Sequence, residues 1–311
     1  ASGELDLVRE PVRVWVGNRG QIEEAQFLYK AWLDAGGEIG LVREAIRRWL
    51  VVNSESSSAK FLYKAWMDAK GQLDSVRDPL SRWIARHGRS EHAEFLYPAW
   101  LTAGGELEFI REPVDQWLER HGRGATASYT YKAWLDAGGE LDLVRSRIQA
   151  WLQFNGQAAM ATFVLRGWLN AKGELDLVRE PIRSWLERHG TLRDAQFLHK
   201  AWLDAGGELD LVREPIRSWL GVHALLPIAR FVYRSWIDAG GELELIEDPL
   251  RRWLASHWNT PSAKFIRIAW AKAGGDPAIL NRLSLTHPQA PRHNRTSTLT
   301  QERRGVTGAH R

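Results

Sequence analysis

The chain has no cysteine, which excludes disulfides, thiolate metal sites and a cysteine nucleophile. It contains no run of about 18 apolar residues, so no segment is long and apolar enough to cross a bilayer as a helix. No secretory signal pattern opens it. A glycine-rich phosphate cradle is also missing: the recurring "AGGELD" puts carboxylates where a phosphate would need cations. Charge of either sign is scarce in excess, with 42 basic against 38 acidic residues and a formal net charge of +4. Arg282, Arg292, Arg295, Arg303, Arg304 and Arg311 face only Asp276 and Glu302 within 276–311, so that segment holds the whole excess and the rest is formally neutral.

What the chain has in abundance is tryptophan, 17 in all. Trp32, Trp66, Trp100, Trp134, Trp168, Trp202, Trp236 and Trp270 are spaced by 34 residues, and Trp15, Trp49, Trp83, Trp117, Trp151, Trp185, Trp219 and Trp253 keep the same step. Only Trp258 falls outside the two series. A fixed period of this length marks a stacked array rather than two globular domains. Units start at residues 21, 55, 89, 123, 157, 191, 225 and 259, and positions 1 to 34 count from the first residue of each. The chain opens within the second half of a unit, from which we expect it to be the C-terminal part of a longer protein.

Within a unit, Ala at position 5, an aromatic at 7, an aliphatic at 8, Trp at 12 and Ala at 15 predict a first helix. The position-7 ring is counted with the two tryptophans among the buried rings. Gly-Gly, as at Gly206-Gly207, ends that helix through a left-handed residue. Lys70 and Lys172 replace the first glycine in two units, so only the second is strictly required. Apolar positions 19, 22, 26, 29 and 30 predict a second helical face. It is interrupted at position 25 by Pro11, Pro79, Pro113, Pro181, Pro215 and Pro249. A proline suits a first turn and disrupts an interior, so the expectation is a short helical turn followed by a separate or kinked helix. The fold expected is all-α: an α-solenoid of about eight 34-residue helical hairpins over residues 1–285, then a basic, disordered tail over 286–311.

The tryptophans are read as packing between hairpins, the alternative being an exposed ladder that stacks bases or sugars. Tyr29, Tyr63, Tyr97, Tyr131 and Tyr233 at position 9 lie off the main apolar face, which leaves burial and partial exposure both open. His87, His121, His189, His223 and His257 share position 33 and form a row rather than a metal cluster; each is expected to bond last-turn carbonyls of its own helix. Acids and arginines three or four apart read as surface ion pairs. No catalytic residue, cofactor site or metal site is indicated.

Positions 1 to 4 share almost nothing between units. They connect one hairpin to the next and line one edge of the array, where a fixed scaffold can display different side chains. Glu23, Glu24, Arg89, Glu91, His92, Arg123, Thr191, Arg193 and Asp194 are the candidate recognition residues. Surface drift is the competing explanation.

The unit "TLRDAQFLHKAWLDAGGELDLVREPIRSWLERHG" resembles a tetratricopeptide repeat in its period, without that family's Trp-Leu-Gly-Tyr spacing or terminal proline. It is also similar to a TAL-effector repeat in having 34 residues, a Gly-Gly after the first helix, a proline in the second and a closing His-Gly. That resemblance implies modular DNA recognition. Here Glu208 and its equivalents follow the Gly-Gly, in place of that family's phosphate-facing lysine. The base-reading place just before it is nearly constant as Asp34, Asp68, Asp136, Asp204 and Asp238, and a code that barely varies reads little sequence. The expected function is a non-enzymatic, cytoplasmic scaffold or sensor that recognises a protein or peptide. Nucleic-acid binding and self-association through repeat ends are the alternatives.

Overall fold

In the computed structural model the described residues are 2–286, with side chains described over 4–283. The expected disorder of 286–311 lies outside them but for Thr286. The chain runs α1 (Ser2–Arg19), α2 (Ala25–Asp34), α3 (Ile39–Asn53), α4 (Ala59–Asp68), α5 (Asp74–His87) and, after a 3-10 turn Glu91–Ala93, α6 (Leu96–Thr102). It continues through α7 (Leu107–His121), α8 (Ala127–Asp136), α9 (Leu141–Asn155), α10 (Ala161–Asn170), α11 (Leu175–His189) and α12 (Ala195–Asp204). The last five are α13 (Leu209–His223), α14 (Ala229–Asp238), α15 (Leu243–His257), α16 (Pro261–Lys272) and α17 (Pro277–Thr286). Among the described residues there is no strand. The molecule is an all-helical array, consistent with an α-solenoid. Each even-numbered helix packs on the even-numbered helices before and after it, most odd-numbered helices pack on their odd-numbered neighbours, and contacts such as α2 with α3 and α10 with α11 join the two layers.

The even-layer helices begin without side-chain caps, because the preceding turn supplies the backbone partners. Ala25 N–H donates to the Ile22 carbonyl at 3.1 Å and Phe27 N–H to the Glu24 carbonyl at 3.0 Å, which satisfies donors that a helix start otherwise leaves bare. Thr260, whose side chain accepts from Ala263 N–H, is the exception. In α6, Pro98 sits in the first turn, where its missing donor costs nothing, and the helix starts three residues later than its counterparts.

Their C-termini are Schellman closures: Gly36 N–H meets the Leu33 carbonyl and Gly37 N–H the Trp32 carbonyl, both at 2.9 Å. The first glycine of each pair has φ between 73° and 81°; Lys70 and Lys172 hold the same left-handed place at 59° and 60°. The second glycine is required for a different reason. It lies flat against the position-12 indole, and a Cβ there would fall 2.1–2.3 Å from the ring. That distance admits only glycine, which accounts for its presence in all eight units.

The odd-layer helices correct one expectation: there is no separate first turn and second helix. Pro181 and its equivalents lie inside single continuous helices. The reason is packing. Val178 before the proline and Ile182, Trp185 and Leu186 after it are all buried on one face, so packing on both sides of the proline holds one helix together across the missing N–H. In α9, where Arg147 stands in place of proline, its guanidinium bonds the Leu143 carbonyl four residues back at 2.5 Å.

Fifteen tryptophans, from Trp32 to Trp270 in the two series, are at most 5% exposed. Trp15, in α1, is half-buried.

Candidate recognition surface

The connections between hairpins are held through their backbone. Trp151 Nε1 donates to the Gly124 carbonyl at 2.8 Å, and the same bond, position 29 to position 2, recurs at Trp49, Trp83, Trp117, Trp185, Trp219 and Trp253. The position-12 indoles act on the turn inside each hairpin: Trp202 Nε1 reaches the Glu208 carbonyl at 2.9 Å, with equivalents in every unit.

The tyrosines at position 9 are fully buried. Tyr29, Tyr63, Tyr97, Tyr131 and Tyr233 each donate to the carbonyl of the residue closing the preceding odd-layer helix, at 2.6–3.1 Å. Burial raises their pKa values, that of Tyr29 to about 12. His199 occupies this place in α12. It is fully buried, and burial, opposed in part by the Gly190 carbonyl, pushes its pKa down to about 4.

The position-33 histidines correct a second expectation. His87, His121, His189 and His223 do not bond their own last turn; their Nε2 atoms donate to the carbonyls of Glu55, Arg89, Gln157 and Thr191 at 2.8–3.0 Å. Each such carbonyl follows the preceding odd-layer helix, so the imidazole ties neighbouring helix ends. Of the five, only His257 turns to its own helix, at the Trp253 carbonyl, 3.0 Å away. The rings also lie against the position-29 indoles, with centroids 4.6–5.2 Å apart. Among the described residues no group of three His, Asp or Glu could hold a metal ion.

The candidate recognition residues sit on this supported edge, in four different connections, and do not converge on one point. Glu23, Glu24, Arg89, Glu91, Arg123, Thr191, Arg193 and Asp194 are exposed. Arg89 Nε donates to Gln116 Oε1 at 2.6 Å, beside an open groove between the ends of α5 and α7 lined by Ile84, Arg86, Glu112 and Arg120. His92 is half-buried, its Nδ1 2.9 Å from Lys60 Nζ. In the preceding junction Gln26 Nε2 donates to Ser58 Oγ at 2.9 Å. Position 6 of one unit thus meets position 4 of the next, and part of the variability at these places is pairwise packing between units.

Glu208 and its equivalents, at the place of the TAL-like lysine, pair with the position-23 arginine of the preceding unit. The pairs Arg9–Glu38, Arg77–Glu106, Arg111–Glu140, Arg145–Glu174, Arg179–Glu208 and Arg213–Glu242 form a row along the turns. All are exposed, so solvent screening leaves each a minor contribution to stability.

The position-7 aromatics correct a third expectation, since the structure places them outside the core. Phe27, Phe61, Phe95, Tyr129, Phe163, Phe197 and Phe265 are 38–63% exposed, and Phe231 is half-buried. At about 100° per residue, position 7 points about 140° away from the tryptophan at position 12. That angle is the signal the sequence carries, and residue type outweighs it in the reading. The rings form one row across the even layer. Phe95 and Tyr129 approach to 6.1 Å between centroids, and cations lie over three of the rings: Lys60 on Phe61 at 5.0 Å, Arg166 on Phe197 at 4.7 Å and Arg230 on Phe231 at 4.4 Å. A largely exposed row of aromatic rings therefore exists, built of phenylalanines and Tyr129 rather than tryptophan.

No helix among the described residues is long and apolar enough to cross a membrane. No protein-family model, curated protein or solved structure matches the chain.

Proposed function

We propose that the chain is a non-enzymatic α-solenoid of 34-residue, two-tryptophan hairpins that recognises a protein or peptide partner. One observation supports this above others. The connections are fixed by indole, imidazole and phenol donors that bond only backbone carbonyls, so holding them in place makes no demand on their own side chains, and exposed ones such as Glu23, Glu24, Thr191 and Asp194 stand on a rigid support. The test replaces 89–92 and 191–194 with Gly-Ser residues. Folding should survive, since loops of equal length close at similar entropic cost, and partner capture in a pull-down should be lost. Retention of every partner by this variant, with an unchanged circular-dichroism melt, makes the connections neutral surface.

A second reading, self-association, draws on an apolar groove between α1 and α2. Leu5, Val8, Val12, Trp15, Leu28 and Trp32 line it, and Leu7 and Val14 beside it are largely exposed. Light scattering across a concentration series separates monomer from end-to-end assembly. The modular DNA reading draws less support, because the place it needs for a phosphate-facing cation carries a carboxylate already paired to arginine.

A further inference from the structure

We infer that the groove between the ends of α5 and α7 is a docking site for a short acidic segment of a partner protein, its carboxylates taken by Arg86, Arg89 and Arg120. The inference rests on the partner-recognition reading above and gives that reading one place and one chemistry. The first ground is the opening itself. Among odd-layer neighbours, α5 and α7 pack least closely. Among the described residues, the connection beside them is also the one that contains a 3-10 turn, Glu91–Ala93, and α6 starts late after it. The resulting groove holds about 580 Å³, within the ~300–1,000 Å³ of ordinary ligand clefts.

Charge is the second. Arg86, Arg89 and Arg120 line the groove against one acid, Glu112. Arg120 makes no hydrogen bond or ion pair among the described residues. Arg86 has one exposed partner, Glu55, at 3.2 Å, a pair that a competing carboxylate displaces at little cost. Guanidinium forks take carboxylates through two parallel N–H bonds, and Ile84 and Pro113 supply an apolar part of the lining for the methylene stems of glutamates. These cations belong to this place and not to the repeat. Position 32, which carries Arg86 and Arg120, is Val52, Phe154, Val222 and Ser256 elsewhere, with Arg188 the remaining arginine. Position 1, which carries Arg89 and Arg123, continues as Gln157, Thr191, Leu225 and Asn259. A nucleic-acid strand needs a cationic track that follows its backbone, whereas this cluster suits a few carboxylates on a short peptide.

Rigidity is the third ground. The carbonyls of Gly88, Arg89 and Ser90 accept in turn from the Tyr97 hydroxyl at 2.7 Å, His121 Nε2 at 3.0 Å and Trp117 Nε1 at 2.9 Å. Arg89 Nε is fixed on Gln116 Oε1, and Gln116 Nε2 donates to Glu112 Oε1 at 2.7 Å. That chain occupies the one acid of the lining and leaves the terminal nitrogens of Arg89 without a partner among the described residues. A site whose backbone and one guanidinium are already set loses little freedom on binding.

The experiment uses the full chain and fluorescence anisotropy with three labelled probes of about ten residues each: a peptide alternating glutamate and alanine, the same peptide with glutamine for every glutamate, and oligothymidine. The parent should bind the glutamate peptide at least tenfold more tightly than either of the others. Arg89→Gln combined with Arg120→Gln should weaken the glutamate peptide at least tenfold and leave the melting temperature unchanged. Arg43→Gln combined with Arg188→Gln removes the same charge elsewhere and should change that binding less than twofold. No peptide binding by the parent, equal binding of the two peptides, equal binding by parent and groove variant, a like loss in both double variants, or tighter binding of oligothymidine overturns the proposal; the last outcome assigns the groove to nucleic acid. The groove variant is also taken through the partner pull-down. A partner captured equally by parent and groove variant, but lost with the replacement of 89–92 and 191–194, removes the groove and leaves the scaffold reading, whereas a parent that captures none removes both.

Discussion

A Cβ added to Gly207 would lie 2.1 Å from Trp202 Cε2. Neither group can yield, because the indole is buried and its Nε1 is tied to the Glu208 carbonyl on the far side of the same turn. Gly207→Ala is expected to destabilise by about 2–3 kcal/mol through overpacking. Gly206→Lys, one residue earlier, should cost about 1 kcal/mol or less, since Lys70 and Lys172 already hold that left-handed conformation. Denaturant titration of both variants checks the order; equal losses would remove the indole from the explanation.

His199 stands where five other units carry a tyrosine, and neither of its ring nitrogens makes a hydrogen bond. Its folded-state pKa of about 4 lies below the ordinary 6.5. Between these values the unfolded chain binds more protons, so stability falls as pH drops through that window, by about 3 kcal/mol at its lower end. His199→Tyr should place a phenol beneath the Gly190 carbonyl, as Tyr131 lies beneath that of Gly122. The variant should gain in Tm over the parent at pH 7 and gain more at pH 4.5. A Tm difference independent of pH refutes the account.

Pro215 lies inside a continuous helix at a point clamped from both sides by Val212, Ile216 and Trp219. The proline therefore costs a hydrogen bond without producing a break. Pro215→Ala should restore an N–H to the Leu211 carbonyl and raise stability by about 1 kcal/mol, the gain reduced by the greater freedom of the unfolded chain. A lowered Tm would mean that the ring itself is needed in the packing between odd-layer helices.

Trp151 combines a fully buried ring with a donor to the Gly124 carbonyl. Trp151→Ala should cost roughly 3–5 kcal/mol through the cavity it leaves. Because each unit touches only its neighbours, the loss should appear as early hydrogen exchange in α8 to α11, with the ends of the array protected. Uniform deprotection along the whole chain would count against local propagation.

The helical pairs, their closure at Gly-Gly and the burial of the tryptophans are legible in the sequence, because each leaves a mark in side-chain type at fixed spacing. Three features are not. The bonds of Tyr131, His189 and Trp151 end on backbone carbonyls, which carry no side-chain signature. Pro181 reads as a helix break because local propensity cannot register the clamp supplied by neighbouring helices. Phe163 and its equivalents read as core by residue type, although their angle on the helix already directs them outward. For the candidate edge, exposure and varied composition are readable, but the pairing of position 6 with position 4 of the next unit, seen at Lys60 and His92, depends on a register between hairpins that no single unit contains.

Since the seams between hairpins are sewn to main-chain oxygens, a unit should be deletable or duplicable wherever the position-6 and position-4 side chains that meet across the new seam still match, as Gln26 matches Ser58. The last seam does not share this freedom. There Trp258 replaces the small residue that closes the preceding helix, and Arg267 replaces the tyrosine, its guanidinium 3.9 Å from the indole centroid. That pair is a key cut for one lock: transplanted alone into another seam, either residue would face a small residue or a phenol instead of its mate, so the array can change length only on the near side of Trp258.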